Sequence, residues 1–322
     1  MKILVTGTLG FIGSNFIRHV LKYYNGYEYQ WVGLDKAVHS YNLENQIIKV
    51  NYNFYLADIS DKHTIERIFE IEKPDMVIGM AAESFVDLSI TDIMPFLQTN
   101  VIGTQVLINA CLKYKVEKYV HISTDEIYGQ QLSRSNQAWI ETDPLLPRNP
   151  YAASKAAGEL IVRTAAETHG LKYQMTRSCN VFGPRQKKEN LIPHIIHQLK
   201  NDQPVKIHGN GENFRQYISV LDKTKAIMKI ILNGKMNETY NIGAYNYLSN
   251  LEMVEIIGEI MNKKPEIEFI ADRKAHDMGY SISNAKLQYL EWQPQDNFKT
   301  ALTDTVMSYM GTQKTFRNEG IE

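Results

Sequence analysis

Short apolar runs alternate with helical patterns through about the first 180 residues of the chain. The apolar runs predict strands at residues 3–5, 31–34, 54–56, 76–78, 119–122 and 173–177. Apolar positions spaced by three and four predict helices at about 14–24, 62–72, 95–114 and 152–169. The strand runs show little polar alternation, as in a parallel sheet covered on both faces. The pattern predicts an α/β fold, a doubly wound parallel sheet of the Rossmann type.

Beyond about residue 182 the rhythm changes, and the pattern predicts a smaller C-terminal substrate-binding lobe. Further helices are predicted at 192–200, 223–232, 251–261 and 300–310, and further strands at 205–207 and 239–242. We assign residues 1–180, with a returning segment at about 215–243, to a dinucleotide-binding domain. Residues 181–214 and 244–322 then form the lobe, and the polar stretch 313–322 is expected to fray.

Composition excludes several partners. The 322 residues carry 35 Lys and Arg against 36 Asp and Glu, a net charge of −1, so no basic excess is available for nucleic acid. No apolar run is long enough for a membrane span, and the first one is too short for a signal peptide. The two cysteines, Cys111 and Cys179, form neither a disulfide framework nor a CxxC metal motif, which favours the cytoplasm and no metal site.

A glycine-rich loop joins the first predicted strand to the first predicted helix. Gly7, Gly10 and Gly13 form the pattern G-x-x-G-x-x-G. Such glycines permit a tight turn and bring backbone N–H groups close to a pyrophosphate at the helix N-terminus. Asp35 follows Gly13 by 22 residues, where a carboxylate accepts hydrogen bonds from ribose hydroxyls and repels a 2′-phosphate. The loop and Asp35 favour NAD over NADP, against the alternative of a plain tight turn and a loop cap.

Tyr151 and Lys155 lie four residues apart where the predicted helix at 152–169 begins, so they share a face. An ammonium beside a phenol favours the phenolate, which lets the tyrosine act as a base near neutral pH. Alone, this spacing is common on solvated helix faces. Combined with the glycine loop, it resembles the extended short-chain dehydrogenase/reductase superfamily.

Two acidic residues follow the fifth predicted strand in the segment S-T-D-E-I-Y-G, residues 123–129. Strand ends at this edge of a doubly wound sheet face the ligand crevice, whereas solvated loop carboxylates are the alternative. With A-A-E-S-F-V-D at 81–87 and Y-A-A-S-K at 151–155, the segment resembles the nucleotide-sugar 4,6-dehydratase family, most closely its dTDP-glucose type. The resemblance extends along nearly the whole chain.

The resemblance implies a sequence of proton and hydride transfers. Tyr151 would take the proton of the sugar 4-hydroxyl while NAD takes hydride from C4, and Lys155 would hold the nicotinamide ribose and lower the pKa of Tyr151. Glu126 would remove the C5 proton, Asp125 would protonate the departing 6-hydroxyl, and Thr124 would bind the 4-oxygen. Hydride would return to C6, so NAD is regenerated. Asp125 must start neutral and Glu126 ionised.

The resemblance also implies two sets of binding residues. Besides the loop glycines and the tyrosine and lysine, the cofactor set is Phe11, Ile12, Asp35, Asp58, Ile59, Ala81, Ala82 and Thr99. Besides the threonine, the nucleotide-sugar set is Ser84, Asn180, Asn190, Leu191, Arg215, Asn250, Arg273 and His276. The two arginines suit a diphosphate, because guanidinium pairs phosphate oxygens bidentately; a surface ion pair is the alternative.

The chain departs from the family pattern around the sugar. Phe85 and Leu88 stand where the family has histidine and arginine, Val181 replaces an asparagine, and Asn190 replaces a lysine. Residues 274–279 lack a Pro-Gly pair and two arginines. These losses make a larger, more apolar substituent plausible, so the substrate stays open between dTDP-glucose, UDP-glucose and UDP-GlcNAc.

Other readings of the same residues stay open. A nucleotide-sugar 4-epimerase or decarboxylase of the same fold needs the glycine loop and Tyr151–Lys155 but not the acid pair. A non-catalytic NAD-binding protein has no use for aligned proton-transfer groups. Epimerisation at C5 during the dehydration is a further hypothesis, although the motif contains one base. The helices at 95–114 and 152–169 are apolar on more than one face, which predicts a homodimer.

Overall fold

The computed structural model describes residues 1–24, 28–37, 45, 47, 52–135, 137–274 and 276–311. Seven strands form the central sheet: β1 (Lys2–Thr6), β2 (Gln30–Asp35), β3 (Tyr52–Leu56), β4 (Met76–Gly79), β5 (Lys118–Thr124), β6 (Tyr173–Ser178) and β11 (Glu238–Ile242). Six short strands pair outside it: β7 (Asn180–Phe182), β8 (Val205–His208), β9 (Phe214–Arg215), β10 (Tyr217–Ser219), β12 (Leu248–Ser249) and β13 (Ile267–Ile270).

The central sheet has the order β11-β6-β5-β4-β1-β2-β3, and every neighbouring pair is parallel. The strands after β1 are added on one side of it and those from β4 onward on the other. This switch in strand order between β1 and β4 creates a crevice at the carboxyl ends of the strands. The register places Thr124, the last residue of β5, opposite Ser178, the last residue of β6. The predicted doubly wound sheet is confirmed.

Eleven α-helical segments are present in the described ranges: α1 (Phe11–Tyr23), α2 (Lys62–Glu72), α3 (Val86–Thr91), α4 (Met94–Phe96), α5 (Thr104–Lys113), α6 (Pro150–His169), α7 (Leu191–Lys200), α8 (Val220–Asn233), α9 (Asn250–Met261), α10 (Ala285–Gln288) and α11 (Phe298–Met310). A π-helical stretch, Leu97–Gly103, links α4 to α5, and a 3₁₀ turn, Asp125–Tyr128, follows β5.

Local sequence explains where α6 begins and ends. Asn149 caps its first turn by accepting a hydrogen bond from the Ala152 N–H, and Pro150 occupies the first helical turn. Gly170 ends the helix in the left-handed conformation with φ of 73°. Because both ends are fixed, Tyr151 and Lys155 hold a defined place on the first turns.

Apolar clusters cover both faces of the sheet. On one face Phe16 and Ile17 of α1 and Ile227 of α8 pack with strand residues such as Ile3 and Val5. On the other face α2, α5 and α6 supply a second cluster around Leu4 and Val77, with Phe69, Leu107 and Val162 among its members. The strands carry apolar residues on both faces for this reason.

A third cluster lies apart from the sheet and joins α7, α9 and α11 through residues such as Ile195, Ile257 and Leu302. The strand β8 pairs with β13 beside it. Between these segments the chain returns to the sheet, because α8 packs against α1 and β11 pairs with β6. The predicted frayed stretch at 313–322 lies outside the described residues.

Candidate active site

The loop between β1 and α1 is built by close backbone approach. Gly7 has a φ of 76°, and a Cβ added to Gly13 would lie 2.0 Å from the Gly7 carbonyl oxygen. Gly10 is the N-cap residue of α1, and in the described part of the chain no side chain caps that helix. The first-turn N–H groups therefore face the crevice beside the positive end of the helix, which fits a dinucleotide pyrophosphate.

Asp35 lies at the end of β2, beside this loop. Its carboxylate accepts hydrogen bonds from the backbone N–H groups of Leu9 and Ala37, both at 2.9 Å. These bonds fix the carboxylate at the place where the first ribose of a dinucleotide lies in a doubly wound fold.

Lys36, which we did not single out from the sequence, completes this part of the site. Its ammonium donates to Thr99 Oγ1 at 2.9 Å and pairs with Glu83 at 2.9 Å. The π-helical stretch carries Thr99 and the neighbouring Asn100, whose side chain bonds both backbone groups of Glu83 and the Ser154 hydroxyl. The only sequence signal for Lys36 is its position after Asp35.

Most of the predicted cofactor residues line one cleft at the carboxyl ends of the strands. The residues of that set in the cleft wall are Gly7, Gly10, Phe11, Ile12, Gly13, Asp35, Ile59, Ala81, Ala82, Thr99, Tyr151 and Lys155. Asp58 is not in this wall: its carboxylate accepts from the N–H and hydroxyl of Ser60, both at 2.8 Å, and lies 3.8 Å from Lys36.

The adjacent acids lie in the 3₁₀ turn after β5, and both line the cleft. Asp125 is buried, and its Oδ1 accepts from Thr124 Oγ1 at 3.3 Å. Its Oδ2 has no partner among the described residues. Burial, and then the charge of Glu126, raise the pKa of Asp125 to about 7. A carboxyl with that pKa is protonated in about half of the molecules at neutral pH, and the protonated form can act as a donor.

Glu126 sits in a different environment. Asn149 Nδ2 donates to its Oε2 at 2.9 Å, which favours the ionised form, while burial raises its pKa. Asn149 therefore connects the N-terminus of α6 to the acid pair. Sequence reasoning missed it, although an asparagine before Pro150 is a strong helix-cap signal.

The tyrosine and lysine of α6 face the same cleft, but their electrostatics differ from the expectation. Lys155 Nζ donates to the Ile122 carbonyl at 2.7 Å, and burial lowers the pKa of Lys155 to about 8. Burial, and then the charge of Glu126, raise the pKa of Tyr151, opposite to the predicted lowering. The reason is that Tyr151 is buried beside the acid pair, whereas the Lys155 ammonium is bonded to β5.

The cleft continues outward between the sheet and the lobe. All of the predicted outer nucleotide-sugar residues line this continuation: Ser84, Asn180, Asn190, Leu191, Arg215, Asn250, Arg273 and His276. Of the departures from the family pattern, Phe85, Val181 and Asn190 line it too. Leu88 is not among its described lining residues and is exposed on α3.

The predicted basic residues of this region, Arg215, Arg273 and His276, already have partners. Arg215 donates to the carbonyls of Phe214 and Asp277, and its guanidinium lies 4.4 Å from the ring centroid of Tyr280. Two carboxylates hold the others, with Arg273 Nε 3.2 Å from Asp87 and His276 Nδ1 2.6 Å from Asp272. A diphosphate would have to compete with these carboxylates, while the charge of Arg215 lies close enough to the acid pair to lower the pKa of both acids.

Two further residues of the site were missed. Tyr280 donates a short hydrogen bond to Asp277 and lies close enough to Glu126 to influence its pKa. Lys223 of α8 lines the cofactor part of the cleft and donates to Ser178 Oγ at 2.6 Å. A lysine inside an amphipathic helix carries no sequence signal of its own. No group of three or more metal-ligating side chains occurs in the described ranges.

The cleft thus has a cofactor half around the glycine loop and an inner end where proton-transfer groups converge. Together with the doubly wound sheet, this cleft defines an enzyme of the short-chain dehydrogenase/reductase class. Enzymes of this class transfer hydride between a substrate and a bound dinucleotide. The chain belongs to the NAD-dependent epimerase/dehydratase family, whose sequence model matches residues 3–243.

Relatives cover almost the whole chain. The low-salt glycan biosynthesis protein Agl12 of Haloferax volcanii is 39% identical over 97% of this chain and 99% of its own length. The dTDP-glucose 4,6-dehydratase of Salmonella typhimurium is 36% identical over 99% of this chain and 95% of its own length. The predicted family, its hydro-lyase class and the NAD cofactor are confirmed.

Solved structures agree with the fold. The dTDP-glucose 4,6-dehydratase DesIV of Streptomyces venezuelae, solved with NAD and TYD bound, superposes with a TM-score of 0.92 at 35% identity, over 97% of this chain and 98% of that chain. A UDP-glucose 4-epimerase of Thermotoga maritima, solved with UDP-glucose, reaches 0.89 at 29% identity, over 98% and 100%. No helix in the described segments is long and apolar enough to cross a membrane.

Proposed function

We propose that this enzyme converts a nucleotide-diphosphate hexose to its 4-keto-6-deoxy sugar by loss of water across C5 and C6. The observation that carries the proposal is the acid pair. Asp125 and Glu126 are adjacent in one cleft wall, yet Asp125 has a pKa of about 7 and an unbonded Oδ2, whereas Glu126 is held by Asn149. Loss of water needs both a proton donor and a base, and oxidation alone does not.

NAD in this cleft would supply a hydride acceptor for the sugar's C4 and a hydride donor for C6. The phenolate oxygen of Tyr151 accepts the 4-hydroxyl proton, and Thr124 Oγ1 hydrogen-bonds the 4-oxygen. Glu126 takes the C5 proton, whose acidity the C4 ketone raises, and Asp125 gives its proton to the 6-hydroxyl, which leaves as water. Lys155 holds the nicotinamide ribose. As hydride returns to C6, Glu126 gives its proton back to C5. Tyr151 then releases the 4-hydroxyl proton to solvent and Asp125 takes a proton from solvent, which restores the starting state.

The raised pKa of Tyr151 keeps its phenol protonated until the surroundings change. A neutral tyrosine cannot accept a proton, so turnover requires the phenol to ionise first. The Lys155 ammonium is bonded to a neutral carbonyl and makes no ion pair with a described carboxylate within 4.0 Å. Its charge is therefore available to stabilise a phenolate once substrate displaces water from the cleft.

We propose glucose and 2-acetamido-glucose nucleotides as the substrate class, with the base unassigned. Relatives named as dTDP-glucose 4,6-dehydratases support glucose. Phe85 lines both halves of the cleft, and its ring centroid lies 5.4 Å from the Lys187 ammonium. This aromatic ring in the cleft wall supports an apolar substituent on the sugar. The test is a substrate panel of dTDP-glucose, UDP-glucose and UDP-GlcNAc, with products identified by mass and NMR.

The second candidate is 4-epimerisation, which the likeness to UDP-glucose 4-epimerase supports. That reaction uses the same tyrosine and lysine but gives a product of unchanged mass. A product lighter by one water assigns dehydration; a 4-epimer of equal mass assigns epimerisation. No turnover of any panel member, with NAD bound, would instead favour a non-catalytic NAD-binding protein.

The configuration of the same products shows whether C5 is epimerised. One base, Glu126, faces the sugar in the proposed chemistry, so the C5 proton returns on the face from which it left. In deuterated water we expect a D-configured product with one deuterium at C5. An L-configured product would establish 5-epimerisation with the dehydration.

Three expectations about the whole chain complete the proposal. Residues 1–180 with about 215–243 bind the cofactor, and 181–214 with 244–322 bind the nucleotide sugar. The enzyme works as a homodimer. It acts in the cytoplasm, without nucleic-acid or membrane partners.

A further inference from the structure

Lys223 is a buried cation that the proposed chemistry does not use. It projects from the first turn of α8, is 2% exposed, and donates to Ser178 Oγ at 2.6 Å. Ser178 ends β6 and is the register partner of Thr124, so the ammonium lies one strand away from the acid pair. Lys223 also shares the cleft wall with Tyr151 and Lys155.

Its surroundings compensate the charge only at a distance, through Asp125. In the described part of the chain, no carboxylate lies within 4.0 Å of the Lys223 ammonium, and its hydrogen-bond partner is a neutral hydroxyl. Lys155, the second buried ammonium of this wall, also bonds a neutral oxygen. Burial above all lowers the pKa of Lys223 to about 8; the charge of Lys155 acts in the same direction, and Cys179 and Asp125 oppose it. A buried charge without a close counter-charge is costly, so a residue of this kind is unusual in a site that only needs packing.

The position of Lys223 in the cleft indicates which part of the cofactor would lie near its charge. The glycine loop and Asp35 take the pyrophosphate and the adenosine ribose, on the β1–β2 side. Lys155, Ser178 and Lys223 lie on the opposite side, at the ends of β5 and β6 and the start of α8. The nicotinamide half of a bound dinucleotide would lie on that side.

We propose that Lys223 is an electrostatic residue of the nicotinamide site that makes the enzyme bind NADH more tightly relative to NAD. Hydride transfer moves two electrons and a hydrogen nucleus from the sugar's C4 to the ring, and the hydroxyl proton leaves to Tyr151. The ring changes from a cation to a neutral group, and a nearby ammonium favours the neutral form. Lys223 thereby promotes oxidation of the sugar, the first step, in which the 4-hydroxyl becomes a ketone.

The test uses the purified enzyme and no sugar, so its result is independent of the proposed function. Each variant is equilibrated with mixtures of NAD and NADH of known ratio, free nucleotide is removed, and the bound ratio is read by chromatography. Lys223→Met should bind NADH about tenfold more weakly relative to NAD, as for unit charges about 10 Å apart at an effective dielectric near 20. Lys223→Arg should restore most of the wild-type ratio.

Matched variants separate charge from packing. Lys229→Met removes a charge from the same helix, outside the described cleft walls, and should leave the ratio unchanged. If Lys223→Met fails to fold, Lys223→Gln replaces it. An unchanged ratio in the neutral Lys223 variants, or an equal shift in Lys229→Met, would overturn the proposal.

Discussion

Adjacent carboxyl groups in one sequence motif acquire different chemistry here because their neighbours differ. Asp125 accepts one long hydrogen bond from Thr124 and faces Glu126, while Glu126 accepts a shorter bond from the helix-capping Asn149. Like charges so close cannot both be ionised cheaply, so one acid keeps its proton. The partition of roles follows from these contacts: Asp125 donates a proton and Glu126 accepts one.

Replacing the base should separate oxidation from dehydration. In Glu126→Gln the C4 oxidation needs only Tyr151 and the cofactor, whereas removal of the C5 proton needs the carboxylate. We expect bound NADH to accumulate on addition of substrate and the yield of 6-deoxy sugar to fall by at least about 100-fold. Stopped-flow absorbance of NADH, with product assay on the same samples, measures both. Unchanged product yield would remove Glu126 from the mechanism.

Replacing the acid should have opposite effects on activity and on stability. The pKa of Asp125 is 3.8 when unfolded and about 7 when folded. Between these values the folded protein holds a proton that the unfolded chain lacks, so this group's stability contribution falls as pH rises. Asp125→Asn should dehydrate slowly yet gain up to about 4 kcal/mol in free energy of unfolding relative to wild type between about pH 4 and pH 8. Denaturant unfolding of both proteins at the two pH values measures this, and a pH-independent difference would contradict it.

At the scale of elements, the site depends on how closely the chain turns between β1 and α1. A methyl group on Gly13 would meet the Gly7 carbonyl at 2.0 Å, so Gly13→Ala must displace the backbone. We expect it to abolish NAD binding and to lower the free energy of unfolding by about 2 kcal/mol or more. Calorimetric titration with NAD and thermal unfolding measure the two effects.

Gly170→Ala is the matched control for that change. Gly170 has a φ of 73° but no atom within 4 Å of the added methyl, so strain of about 1 kcal/mol is its sole cost. Its NAD affinity should equal that of the wild type. Equal loss of NAD affinity in the two variants would mean that the effect is general destabilisation.

Periodicity predicted the long elements well, because their apolar spacing reports burial directly. The predicted helix at 62–72 matches α2, and the strand predicted at 239–242 lies within β11. It missed β9, β10 and β12, whose two or three residues are too few to show a period. It also gave one continuous helix at 95–114, where the structure has a π-helical stretch over Leu97–Gly103.

Motifs predicted which residues meet in the cleft, but not how they are charged. The glycine loop, the acid pair and Tyr151–Lys155 follow local patterns, and the sheet order brings them together. The partners that tune them come from distant positions without a pattern: Asn149 reaches Glu126, and Lys223 reaches Ser178 from α8. The pKa of Tyr151 is raised, not lowered, because burial and the charge of Glu126 both disfavour the phenolate.

For the whole molecule, apolar surface on the helices around residues 94–113 and on α6 supports the expected homodimer. Leu160 of α6 is 55% exposed, and Ile102 and Met94 are exposed on the neighbouring helix. We expect a dimeric mass by light scattering at micromolar concentration, and a monomeric mass for Leu160→Glu, because an unpaired buried charge opposes association. Leu232→Glu, at a comparably exposed leucine of α8, should remain dimeric. A monomeric wild type would contradict the assembly.

The central claim, that oxidation at C4, elimination of water and reduction at C6 occur on one bound sugar, is tested most directly by an isotope. The nucleotide hexose accepted in the substrate panel is prepared with deuterium at C4, and its product is analysed by NMR and mass. The account predicts a 4-keto-6-deoxy sugar that carries this deuterium at C6, because the hydride removed from C4 is the one returned. A 4-epimer with deuterium still at C4, or a 6-deoxy product without it, would contradict the account.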